Sequence, residues 1–114
     1  MKKRVERKER TLVVRIPAEV DHCFADAVRE EVDHRVQTEE IESLEFDFRD
    51  TEFMDSSGIG LLMGRYKLMK ALGGSVSITH AKERIEKILM LSGIHKIIPI
   101  EKEQSYETEN ETGN

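Results

Sequence analysis

A single cysteine, Cys23, in 114 residues excludes an internal disulfide and every metal motif built on paired cysteines. The four histidines are scattered and do not replace such a motif. No apolar run approaches the roughly 18 residues that a membrane span needs, and the basic opening MKKRVERKER has no hydrophobic stretch of signal-peptide type behind it. A cytoplasmic location without membrane contact is therefore expected. Aromatic residues make up only 5% of the chain and form no ladder of the kind that stacks on bases. Internal repeats are absent, and so is low complexity outside the two ends.

What the sequence has in quantity is charge. Asp, Glu, Lys and Arg amount to 36%, against about 25% in an average domain. The net charge is −5, and its distribution is uneven. Residues 1–10 hold six basic and two acidic side chains, whereas residues 101–114 hold five glutamates and one lysine. Glu6 and Glu9 interrupt the basic run, and phosphate neutralisation needs sustained positive charge, so no direct nucleic-acid contact is expected. The end of the chain, residues 102–114, has few apolar residues and is expected to be a disordered acidic tail. Length alone points to one domain.

Periodicity then gives the elements. Thr11 to Ile16 alternates as a strand, with Leu12, Val14 and Ile16 on one face and Pro17 closing it; Val5 opens a candidate flanking strand within residues 1–9. From Asp21 to Val36, Phe24, Val28, Val32 and Val36 recur every four positions over a polar face of Arg29, Glu30, Asp33 and His34, with Asp21 placed to cap the helix. Leu44, Phe46 and Phe48 alternate with Glu45, Asp47 and Arg49 as a second strand.

Asp50 to Ser57 is a polar connection enclosing the apolar pair Phe53 and Met54. Ile59, Leu62, Met63, Tyr66 and Met69 follow as the stripe of a second helix, stopped by Gly73 and Gly74. Val76 and Ile78 alternate in a strand, Ile85, Ile88 and Leu89 mark a third helix ending near Gly93, and Ile97, Ile98 and Ile100 close the pattern as a strand around Pro99. Such alternation implies an α/β fold, a mixed and mostly parallel sheet of four to five strands packed with helices.

The stretch Met54-Asp55-Ser56-Ser57-Gly58-Ile59-Gly60 lies where a strand hands over to a helix, the usual place for ligands and reactive groups in such folds. A nucleophile elbow requires glycine two residues before the serine, and Met54 and Asp55 occupy those places. Gly58, Gly60 and Gly64 depart from the dinucleotide spacing, and no later strand ends in a carboxylate placed for a ribose. A third reading is a regulated serine, because a phosphate at a helix N-terminus meets unpaired N–H groups and the positive end of the helix dipole. Its structural alternative is a serine that merely caps the helix.

Phe53 to Gly60, continued by Gly64-Arg65-Tyr66-Lys67, resembles the signature of the anti-sigma factor antagonists of sporulation and stress response, which are single STAS domains. Ala18-Glu19-Val20-Asp21-His22, Leu72-Gly73-Gly74 and Leu91-Ser92-Gly93-Ile94 agree in order and spacing, so the resemblance spans roughly residues 10–100. The Gly-Arg-Tyr-Lys continuation and the second serine bring it nearest to the sporulation antagonists. Ala18 stands where that family commonly has glycine, and Cys23 where some members have a second histidine after the one matching His22.

The resemblance implies a STAS domain over residues 10–101, monomeric and without catalysis or a bound cofactor. Its unmodified form would bind an anti-sigma factor that is also a serine kinase, releasing the sigma factor. Phosphorylation would inactivate it and a serine phosphatase would restore it, with ATP belonging to the kinase. Carried over, the acceptor is Ser56, with Ser57 the alternative, and Asp21, Asp55, Ser57 and Gly58 form the partner surface. Two other readings remain open: a STAS interaction module without phosphorylation, and a small serine-dependent or nucleotide-binding enzyme. The enzyme would need a base from His22, His34, His80 or His95, none of which has a motif around it.

Overall fold

The computed structural model describes residues 4–101; the acidic tail expected from residue 102 onward lies outside them. Strand β1 (Val5–Lys8) turns back antiparallel onto β2 (Thr11–Arg15). The chain continues through β3 (Glu19–Val20), α1 (His22–Thr38), β4 (Ser43–Asp47), β5 (Phe53–Met54), α2 (Ser56–Leu72), β6 (Ser75–Thr79), α3 (Glu83–Ser92), a 3-10 turn (Ile94–Lys96) and β7 (Ile100–Glu101). The main sheet has the order β1-β2-β4-β6-β7, parallel throughout except at β1. Strands β3 and β5 form a separate parallel pair.

Alternation along the strands sets the layers. Leu12, Val14, Leu44, Phe46, Val76 and Ile78 are buried and meet the helices, while Thr11, Val13, Glu45 and Ser77 on the opposite face remain partly exposed. Helix α1 buries Ala25, Val28, Val32 and Val36, close to the stripe seen in the sequence. Helix α2 is turned relative to its expected stripe: Leu61, Leu62, Arg65 and Met69 are buried, whereas Ile59, Met63 and Tyr66 are only partly so. One side of α2 faces the sheet and another faces α1, and two neighbours cannot be served by one apolar stripe.

Gly73 and Gly93 end α2 and α3 at left-handed φ of 82° and 84°. The closing strand differs from expectation. Ile94 to Lys96 forms a 3-10 turn, Ile98 enters the core, and pairing to β6 begins only after Pro99, whose carbonyl accepts from Ile78 N. Proline lacks an N–H and cannot itself donate to a ladder.

Candidate functional site

Two strand-to-helix junctions lie side by side. Ile16 hands over to the pair β3–β5 through Thr51, a fully buried residue whose hydroxyl donates to the Ile16 carbonyl at 3.1 Å. The Ala18 carbonyl accepts from both Glu52 N and Phe53 N, at 2.8 and 3.0 Å. Parallel register sets Glu19 against Phe53 and Val20 against Met54. Each strand then runs straight into a helix, so the N-termini of α1 and α2 are neighbours.

Aspartate caps both. Asp21 Oδ1 accepts from Phe24 N at 2.9 Å, and Asp55 Oδ1 accepts from Ser57 N at 2.8 Å. The capping role that a serine would fill is thus taken by Asp55, whose carboxylate, from an extended backbone, holds the second N–H of the helix. Ser56 and Ser57 become the first two helical residues. Ser56 is exposed and Ser57 half-buried, and neither hydroxyl has a hydrogen-bond partner among the described residues.

Gly58 lies beneath this surface rather than on it. It is buried, and a Cβ there would come within 2.3 Å of Met54 Cγ and 2.4 Å of Met54 Sδ. Its absence of a side chain lets α2 start directly over the inward side chain of β5. Gly58→Ala should force Met54 out of its place and destabilise the domain by about 1–3 kcal/mol, read as a lower urea midpoint. A loss under a few tenths of a kcal/mol would show that Met54 yields freely.

Between the first turns of α1 and α2 opens a cleft of about 310 Å³ lined by His22, Asp26, Arg29, Ser57, Gly60 and Arg65. Its charges are paired: Asp26 lies 3.2 Å from Arg29 and 3.9 Å from His22, and Arg65 Nε lies 2.8 Å from Asp33. His22 is the histidine that shares the cleft with Ser57, and no hydrogen bond joins them. The Ser–base contact that nucleophilic catalysis requires is missing from this geometry.

One group of potential metal ligands converges elsewhere, on the open sheet face. Glu45, Asp47 and His80 bring donor atoms within 4.8 Å of one another. The Arg49 guanidinium already holds Asp47, with Nε 3.1 Å from Oδ2 and 3.3 Å from Oδ1, and Thr79 donates to Glu45 at 2.8 Å. The chain itself thus supplies the cation of this cluster.

Burial pushes the Asp47 carboxyl up, but the Arg49 N–H and guanidinium, together with His80, outweigh it and hold the group below the ordinary carboxylate range. A carboxyl depressed in the folded state stabilises above its unfolded pKa of about 3.9, and that contribution is lost as pH falls through the lower folded pKa. Asp47→Asn should therefore lower stability at neutral pH and flatten its fall under acid. Urea unfolding at several acidic pH values checks this; parallel curves for the two proteins would contradict it.

The STAS domain family model matches residues 2–110. This chain is a STAS domain. Among its relatives, the anti-sigma F factor antagonist of Paenibacillus polymyxa is 35% identical over 96 residues, covering 84% of this chain and 82% of that protein. The anti-sigma-B factor antagonist of Bacillus subtilis is 30% identical over 96 residues, covering 84% and 86%. In fold, the STAS domain resembles the anti-sigma factor antagonist SpoIIAA in its unphosphorylated form, with a TM-score of 0.78 at 24% identity over 95% of both chains. The phosphorylated form of the Bacillus SpoIIAA gives 0.73 at 23% identity, over 95% of this chain and 96% of that one.

The sequence points to this junction but not to every residue that builds it. Asp21, Asp55, Ser56 and Ser57 come together as expected, and Gly58 is present but buried. Arg65 and Phe53 carried no functional expectation. In the sequence Arg65 appears in the Gly-Arg-Tyr-Lys continuation, with no role attached to its side chain. Phe53 was visible as half of an apolar pair in a polar connection. Among the described residues no helix is long and apolar enough to cross a membrane.

Proposed function

We propose that this STAS domain is an anti-sigma factor antagonist controlled by phosphorylation of Ser56. Unmodified, it binds an anti-sigma factor that is also a serine kinase and so frees the sigma factor; the kinase, using its own ATP, phosphorylates Ser56 and ends the contact, and a serine phosphatase reverses it. The observation that carries this reading is the state of Ser56. Asp55 takes the cap, which leaves the Ser56 hydroxyl exposed and unbonded at the start of α2. A kinase needs an accessible hydroxyl, and a phosphate placed there faces the favourable end of the helix dipole. Ser57, half-buried and turned toward the cleft, is less open to a kinase. Antagonist relatives at 35% and 30% identity support the partner class.

The test is incubation with the cognate anti-sigma factor kinase and ATP, followed by intact-mass spectrometry. The unmodified protein should gain one phosphate and Ser56→Ala none, while Ser56→Ala still binds the kinase. A phosphate that persists in Ser56→Ala but vanishes in Ser57→Ala would move the acceptor to Ser57. Binding without any phosphate gain would leave an interaction module that is not switched in this way.

A further inference from the structure

Strand β5 sends its two side chains in opposite directions, as the pleat requires. Met54 is 3% exposed and belongs to the core, whereas Phe53 is 53% exposed. The outward surface beside Phe53 is acidic on the side of β3 and the two helix starts. Glu19 is its register partner on β3, and Asp55 follows two residues later on the same side of the chain. Continuing the register one step beyond the strands sets Asp21 beside Asp55. Glu19, Asp21 and Asp55 are all exposed, and Glu19 has no ion-pair partner among the described residues. Glu52, just before Phe53, is held by Lys82, and the exposed Arg84 guanidinium reaches the Glu52 carbonyl at 3.5 Å. The result is one aromatic ring, three residues before Ser56, with three carboxylates toward the helix starts that form no ion pair among the described residues, and the cations Lys82 and Arg84 on the side toward α3.

We infer that Phe53 is the apolar anchor of the contact with the anti-sigma factor, entering an apolar recess whose rim carries lysine or arginine. This rests on the antagonist reading and adds to it the anchoring residue and the chemistry of the surface that receives it. Charge selects among occupants. A second copy of this chain would set the same carboxylates against themselves, and an anionic membrane or a nucleic acid would be repelled by them. A basic rim is drawn to them, and aromatic side chains are the usual centre of protein contacts. The carboxylates lie at the edge, where solvent weakens them, so they set encounter rate and salt sensitivity more than final affinity. Phe53 and Ser56 are three residues apart at one junction, so a hydrated phosphate on Ser56 would keep the ring from seating.

The experiment measures binding of unphosphorylated protein to the cognate anti-sigma factor by calorimetry and by association and dissociation rates at several salt concentrations. Phe53→Ala should weaken binding by about 30-fold or more, chiefly through faster dissociation, with circular dichroism and melting temperature unchanged. Glu19→Lys, at an exposed position, should slow association and flatten its salt dependence. Affinity of Phe53→Ala within twofold of the parent, or an unaltered salt dependence for Glu19→Lys, would overturn the inference while leaving the antagonist reading in place. Failure of the parent protein itself to bind would remove that reading and this inference together.

Discussion

Phosphorylated at Ser56, the protein should bind its anti-sigma factor at least a hundredfold more weakly than the unmodified form while keeping its helix signal in circular dichroism. Within the domain the opposing effects are small. A phosphate adds about −1.5 to −2 charge, and at an exposed helix N-terminus the dipole favours such a charge by about 0.3–1 kcal/mol. Asp55 alongside and Asp21 at the neighbouring helix start repel it by a comparable amount, so local structure should survive. The complex differs, because a surface that received a small neutral hydroxyl must now enclose a bulky hydrated dianion. Desolvating such a charge costs several kcal/mol, whereas attraction to exposed basic groups at the rim returns about 1 kcal/mol or less. Titration of both forms with the anti-sigma factor, beside circular dichroism, checks the balance. Equal affinities, or a large loss of helix on phosphorylation, would refute this mechanism.

The largest effect on stability is expected at the ion pair that joins α1 to α2. Arg65 has a side chain only 9% exposed, with Nε 2.8 Å from Asp33 Oδ1, Nη2 3.3 Å from Asp33 Oδ2 and Nη1 3.3 Å from the Leu61 carbonyl. Burial lowers the Arg65 pKa, and the Asp33 charge works against that loss. Asp33→Ala would leave a guanidinium buried between helices without its carboxylate, at a cost of about 3–5 kcal/mol. Arg65→Met should cost much less, since the stem keeps its packing and Asp33, 30% exposed, can return to water. The double variant Asp33→Ala/Arg65→Met should accordingly be more stable than Asp33→Ala alone. Urea unfolding of the three variants and the parent measures this; an additive double variant would show that the residues do not act as a pair. Because this pair fixes the two helices that flank the cleft, Asp33→Ala should also loosen the neighbouring start of α2.

Local, periodic signals were enough for the scaffold. Period-two alternation marked β2, β4 and β6, period-four spacing marked α1, and the Asp21 cap and the stops at Gly73 and Gly93 were legible because each depends on the backbone within one helical turn. The same is true of the junction at Asp55-Ser56-Ser57, placed correctly between an extended segment and a helix. Only the tertiary structure decided the rest. Strands β3 and β5 have two residues each, too few to show a period, and exist because they pair across 34 positions of sequence. That pairing turns Phe53 outward and Met54 inward, a choice the apolar pair could not reveal by itself. The burial of Arg65 depends on Asp33, 32 residues earlier on another helix, and the depressed carboxyl of Asp47 depends on how Arg49 and His80 close over it. A sequence states which side chains a segment offers, but the cost of burying a charge or exposing a ring is set by what the fold brings against it.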